Sequence, residues 1–251
     1  VMRPYTSGLS AGTQGFSGSA PNVRHTLSAL TICDIAMWRA YLLLLHAEIL
    51  PAARPLESFR ESPPSFTIEY DASLTGLAAG ISSLAPDGSK TLLRFAASHV
   101  PFDTKKDSSY QNTCEFLAAI LGLLLARSLG LSGFRYTLMG DSRASLAWAA
   151  HGRSNSTRAR RANIAFSMIL LRLDASIADT VHVPGIDNVI YDGLSRDLSA
   201  SQVGIDPALQ LHVPDVHQIS RILQLCDPAL PLSSPEDHFV LSSSILSLLT
   251  F

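Results

Sequence analysis

Apolar and polar positions alternate most cleanly over residues 66–71, where Phe66, Ile68 and Tyr70 interleave with Thr67, Glu69 and Asp71. A period of two predicts a strand with one buried face. Gly76 suits a tight turn, and Leu77 to Leu84 predicts a second strand, hairpin-paired with the first. The turn-like stretch 85–90 leads to a third strand over Thr91 to Val100. After the polar residues 101–109, a helix capped by Ser109 or Asn112 is expected to run to about Leu129, with Gly130 ending it. Phe134 to Met139 predicts a fourth strand, closed by Gly140-Asp141-Ser142. A helix follows through Ala150, the chain continues as an apolar helix over Ala162 to Leu173, and Thr180 to Val183 reads as a short fifth strand. Asp187 then opens a last helix through about Leu198. The order β-β-β-α-β-α-β-α implies an α/β fold, a mixed sheet with helices on its faces.

The flanks read differently. Residues 1 to about 24 are rich in Gly, Ser, Ala and Thr and look like a linker. Leu27 to Leu50 carries a helical pattern in Ile35, Trp38, Leu42 and Leu45, and Pro51, Pro55, Pro63 and Pro64 forbid regular structure before the first strand. The expected organisation is a lead-in over 1–64, a domain over 65–198 and a proline-punctuated C-terminal appendage over 199–251.

Composition narrows the class. At 47% hydrophobic and 16% charged residues the chain can bury a sizeable core, and a formal charge of −2 does not announce a nucleic-acid binder. Cys33, Cys114 and Cys226 are odd in number and far apart, which argues against a disulfide framework or a zinc cluster and suits a reducing, intracellular compartment, cytoplasmic or nuclear. No secretory signal is visible. The run Phe116 to Leu131, interrupted by Arg127, is short for a membrane span and reads as a buried helix. A start at Val1 fits a piece of a longer polyprotein.

Four carboxylates fall at related places: Asp71 at the end of strand one, Glu115 in the expected first turn of the long helix, Asp141 at the end of strand four, and Asp192 in the last helix. With strand one central, strands one and four can be neighbours, and Asp71 and Asp141 can share one edge. Clustered carboxylates raise one another's pKa unless a cation neutralises them. Hard divalent ions such as Mg²⁺ take oxygen ligands, and two of them about 3.5–4 Å apart serve phosphodiester cleavage. Each residue also has an ordinary structural reading: Asp71 as a turn former, Glu115 at a helix dipole, Asp141 as an N-cap, and Asp192 in a helical ion pair with Arg196.

Taken together, Glu69-Tyr70-Asp71-Ala72-Ser73, Glu115 in its apolar helix, Gly140-Asp141-Ser142 and His182-Val-Pro-Gly-Ile-Asp-Asn188-Val-Ile-Tyr-Asp192-Gly-Leu-Ser-Arg196 resemble the ribonuclease H domain of retroelement reverse transcriptases, in the LTR (Gypsy-like) and tyrosine-recombinase (DIRS-like) groups. The resemblance covers about residues 65 to 198, and its last motif is the most specific. It implies an RNase H-like fold with a five-stranded mixed sheet, and metal-dependent cleavage of the RNA strand of RNA–DNA hybrids. By position, Asp71, Glu115, Asp141 and Asp192 would hold Mg²⁺ or Mn²⁺, two ions in all. His182 would move protons or help release product, with Glu69, Ser73, Ser142 and Asn188 in support. The implied partners are the hybrid and a polymerase domain of the same polyprotein, with no membrane.

Two departures bear on Asp192. Bulky Tyr191 stands where the family has a small residue, and Gly193 where it has Ala, at ~1 kcal/mol in a helix interior. Arg153, Arg158, Arg160 and Arg161, with Arg196, are candidates for phosphate contacts, and the alternative for the first four is a solvated helix start. Hybrid recognition would rest on shape and 2′-hydroxyl contacts. The competing functional class is a catalytically inactive RNase H-like module, a structural or nucleic-acid-binding platform.

Overall fold

Where the alternation is strict, the strands form as expected, and the sheet they build carries the rest of the chain. The computed structural model describes residues 64–100, 108–152 and 157–213, together with 35, 38–39, 42–43 and 45–48. Strands β1 (Phe66–Ala72), β2 (Gly76–Leu84), β3 (Lys90–His99), β4 (Arg135–Gly140) and β5 (Ser176–His182) alternate with helices α1 (Ser108–Ser128), α2 (Arg143–His151), α3 (Thr157–Arg172) and α4 (Val189–Ser195), and a 3₁₀ turn follows at Pro207–Leu209. The strand order across the sheet is β3-β2-β1-β4-β5. The first three strands form an antiparallel meander, whereas β1–β4 and β4–β5 are parallel. This five-stranded mixed sheet flanked by helices is the RNase H-like architecture that the motif order implies.

Both sheet faces are covered across the meander. Leu77, Ala79 and Ile81 of β2 join Ile68 and Tyr70 of β1 in a core shared with α1. The alternate side chain Ala78 packs with Phe95, Tyr191, Leu194 and Ala200 on the opposite face, under α4. The one-sided burial expected of β1 is therefore corrected: Thr67 and Asp71 are buried as well. Helix α1 is buried around its circumference because the sheet lies on one side and α2 and α3 on the other. Its Phe116 meets Trp148 edge-on at a centroid distance of 5.9 Å and Phe166 at 5.0 Å. Among the described residues no helix is long and apolar enough to cross a membrane.

Several element boundaries differ from the expectation. Helix α1 begins at Ser108, so Ser109 and Asn112 lie within it rather than capping it, and Glu115 stands two turns in, with no acidic residue in the first turn. The expected single helix after β4 is two, because Gly152 takes a left-handed conformation (φ 62°) that ends α2. Strand β5 starts at Ser176, earlier than its apolar pattern suggests, since a register shift against Tyr136 and Thr137 inserts Ala178 and breaks the alternation. Helix α4 stops at Ser195 because Asp197 turns left-handed (φ 69°) and Leu198 N–H donates back to the Gly193 carbonyl at 3.0 Å.

Beyond α4 the chain crosses to the β3 edge. Leu211 N–H donates to the Phe95 carbonyl at 2.8 Å, Gln210 bridges Phe95 in parallel, and Val213 is buried in the main core. In the N-terminal part, Ile35, Trp38, Leu42 and Leu45 are helical. The expected linker over 1 to about 24, the loop 101–107, Arg153 and the tail 214–251 lie outside the described residues.

Candidate metal centre

Parallel pairing of β1 with β4 places two carboxylates side by side. The register sets Glu69 opposite Met139, so two residues further on Asp71 comes level with Asp141. Helix α1 crosses the same end of the sheet and delivers Glu115 from its third turn. One ligand oxygen from each of Asp71, Glu115 and Asp141 lies within 4.8 Å of the other two. Asp71 and Glu115 are each only 3% exposed, while Asp141 is half-buried.

Three carboxylates this close and this dry resist ionisation together. Burial first, and then the charges of Asp71 and Asp141, push the Glu115 carboxyl up to about 9. Asp71 is pushed up to about 7, chiefly by burial and then by Asp141 and Asp192, against a lowering hydrogen bond from Ser195. Asp141 is raised by burial and by Asp192, with nearby His182 pulling it down. Among the described residues, Glu115 Oε2 is buried without a hydrogen-bond partner. An orphaned carboxylate oxygen facing two more carboxylates is the donor set of a hard divalent cation, and the residues present fit one.

The supporting contacts fix the carboxylates. Asn188 Nδ2 donates to Asp71 Oδ1 at 3.1 Å and to the Tyr70 carbonyl at 3.2 Å. It stands at the N-cap of α4 but its side chain makes no capping bond. Gln111 Nε2 donates to Glu115 Oε1 at 3.0 Å and to the Ala72 carbonyl at 2.5 Å. The N-cap of α2 is Ser142, not Asp141: its Oγ accepts from Ser145 N–H and donates to Asn112 Oδ1. That leaves the Asp141 carboxylate free of capping duty, with Gly185 closely beside it: a Cβ added there would stand 3.4 Å from Asp141 Oδ2. Ser73 Oγ accepts from Gly76 N–H at 2.8 Å and donates to the Ser195 carbonyl at 2.6 Å, with the Thr75 hydroxyl 3.1 Å away.

Other sequence candidates sit at the rim or away from the cluster. His182 is exposed at the end of β5, opposite Gly140. Asp192 does not join the three-carboxylate group. Arg196 holds it, with Nε and one terminal nitrogen each 2.8 Å from its Oδ1, although its charge is felt at Asp71 and Asp141. Glu69 is taken up by Lys90 at 2.5 Å. Arg158, Arg160 and Arg161 fall in the first turns of α3.

Tyr191 and Gly193, the two departures beside Asp192, each have a partner. The Tyr191 ring fills the space that a side chain at Gly80 would need, on the face away from α1. A Cβ at Gly193 would come within 2.6 Å of Val203 Cγ1. Sequence reasoning missed Ser195, whose Oγ donates to Asp71 Oδ2 at 2.9 Å, and Gln111. The available signals were the place of Ser195 in the Leu-Ser-Arg end of the last motif, three residues after Asp192, and the spacing of Gln111 four before Glu115.

No protein-family model and no curated protein matches the chain. Among solved structures, it is similar to the RNase H1 of the halophilic archaeon Halobacterium salinarum NRC-1 at 21% identity, covering 53% of this chain and 97% of that one, with a TM-score of 0.41. It is also similar to LC11-RNase H1 isolated from compost, at 15% identity over 54% of this chain and 95% of that one, with a TM-score of 0.41. The N-terminal RNase H domain of Rv2228c from Mycobacterium tuberculosis follows at 19% identity, 53% and 96% coverage, and a TM-score of 0.38.

Proposed function

We propose that the chain is a ribonuclease H-type endonuclease that hydrolyses the RNA strand of RNA–DNA hybrids, within the polyprotein of a retroelement reverse transcriptase. The observation that carries this reading is the meeting of Asp71, Glu115 and Asp141, with Glu115 Oε2 buried and, among the described residues, unpartnered. The motif running from His182 to Arg196 supplies the substrate class. Two divalent ions, Mg²⁺ or Mn²⁺, would supply Lewis acidity towards the phosphodiester.

The chain's own residues have separable tasks. Asp71, Glu115 and Asp141 would hold the cations, and Asp192 would join them once released from Arg196. Asn188 and Gln111 hold Asp71 and Glu115 in place, because a ligand that must rotate into position binds more weakly. His182, exposed at the strand end beside Asp141, would carry a proton between the site and solvent. Arg153, Arg158, Arg160 and Arg161 would meet the phosphate backbone, and Arg196 would turn to substrate when Asp192 turns to metal. A formal charge of −2 leaves most hybrid affinity to an attached polymerase domain. This reading makes 65–198 the catalytic unit and places the protein inside the cell.

One observation favours the inactive platform instead: Asp192 lies outside the three-carboxylate group and pairs through its Oδ1 with Arg196. Incubating a labelled RNA–DNA hybrid with the purified chain and Mg²⁺ or Mn²⁺, beside Asp71→Asn and Asp141→Asn, separates the two. The nuclease cuts the RNA strand, and both variants lose at least about 100-fold in rate, as removal of a metal-holding charge does. A folded wild type that neither binds metal nor cuts establishes the platform.

A further inference from the structure

We propose that Ser195 is a positioning residue for the metal centre: its hydroxyl sets the orientation of Asp71 and ties it to helix α4. This rests on Asp71 acting as a metal ligand, as proposed above. Ser195 is completely buried, and its Oγ lies 2.9 Å from Asp71 Oδ2. Asn188 Nδ2 is on the other oxygen, Oδ1, at 3.1 Å. With one donor on each oxygen, the carboxylate plane cannot rotate about its Cβ–Cγ bond without breaking a hydrogen bond in a dry environment, where an unmet acceptor is costly. The lone pairs left over then point where the two donors allow.

Ser195 is itself held from two sides. Its carbonyl lies at the end of α4, where no later helical N–H answers it, and Ser73 Oγ donates to it at 2.6 Å. Ser73 Oγ in turn accepts from Gly76 N–H at 2.8 Å. Gly76 has to be glycine, because a Cβ there would fall inside the Ser195 carbonyl. The turn between β1 and β2 and the end of α4 are thus joined at one residue, 124 positions from the aspartate it addresses.

A competing role is visible. The same hydroxyl is also 2.9 Å from the Asp192 carbonyl three residues back, the local bond that helical serines often make. The hydroxyl has one proton and serves one acceptor at a time. An ionised, metal-ligating carboxylate is the stronger acceptor, so occupation of the centre favours the bond to Asp71. Ser195 stands on the same short helix as Asp192, so any shift of α4 that moves Asp192 towards the metals also shifts the donor on Asp71.

The test is Mn²⁺ binding to the full chain by calorimetry, for wild type, Ser195→Ala, Ser195→Thr and Asp71→Asn, with metal-free melting curves alongside. Positioning by the hydroxyl predicts that Ser195→Ala weakens Mn²⁺ binding about 10- to 100-fold, the usual effect of removing a partner of a ligand, while Ser195→Thr stays within a few-fold of wild type. Equal binding by wild type and a cooperatively melting Ser195→Ala overturns the proposal, as does equal weakening by Ala and Thr, which would be a packing effect. Should Ser195→Ala not melt cooperatively, Ser195→Cys, close in volume but a weak donor, is judged by the same criteria. If wild type binds Mn²⁺ and Asp71→Asn does not, an unaffected Ser195→Ala removes Ser195 alone. A wild type that binds no Mn²⁺ removes the metal centre and this proposal with it.

Discussion

At the scale of single residues, the centre stores electrostatic stress. Glu115 titrates near 9 and Asp71 near 7 in the folded chain, whereas both titrate near 4 when unfolded. The folded pKa values are raised, so from about pH 4 up to these values the folded state keeps protons that the unfolded state has released. Stability of the metal-free chain therefore falls as pH rises through this window, with a slope of up to about 1.4 kcal/mol per pH unit per group. Melting curves in chelator between pH 5 and 9 are expected to show this fall, and Glu115→Gln to flatten its upper part. A stability that rises from pH 5 to 9 would contradict the buried, protonated carboxyls. Adding Mg²⁺ or Mn²⁺ at pH 8 is expected to restore stability, by about 2.7 kcal/mol at a hundred times the dissociation constant.

At the scale of elements, α4 is short and its position is set by what it fits between. Tyr191 and Leu194 pack onto the sheet face that carries Ala78 and Phe95, and Gly193 admits Val203 from the following segment. Gly193→Ala would improve helix propensity by ~1 kcal/mol, yet it forces a Cβ to 2.6 Å from Val203 Cγ1. Overpacking of this kind costs about 1–3 kcal/mol, so chemical denaturation is expected to show no net gain and commonly a loss. The double variant with Val203→Ala should recover part of it. A clear stabilisation by Gly193→Ala alone would mean that α4 and residues 199–213 do not pack together.

At the scale of the whole molecule, the sheet is completed by residues past the last helix. β3 is the edge strand on its side of the sheet, and an unpaired edge invites association. The Phe95–Gln210 bridge and the Leu211 hydrogen bond cover part of it, and Val213 reaches the main core. A chain ended at residue 198 is expected to lose at least about 2 kcal/mol relative to one ended at 213, from lost apolar burial alone. It should also scatter more light at high concentration. Identical unfolding midpoints would show that 199–213 adds nothing to the folding unit.

What the sequence determined by itself is what local chemistry controls. Side-chain alternation with period two marked β1, apolar stretches between turn residues marked β2, β3 and β4, and the strand ends carried Asp71 and Asp141; the motif order implied their meeting with Glu115. Spacing could not show that Ser195 and Asn188 divide the two Asp71 oxygens, nor that Gln111 takes one Glu115 oxygen and leaves the other, among the described residues, unpartnered. It read β1 as buried on one face, because the cover on the other comes from α4 and residues 199–213, more than 100 positions along the chain. Tertiary structure also decided that Asp192, whose local ion pair with Arg196 the spacing allowed, lies outside the carboxylate group. Burial and hydrogen-bond pairing depend on which distant segments meet, and desolvation, the largest cause of the shifts at Glu115 and Asp71, arises only when those segments have closed over the site.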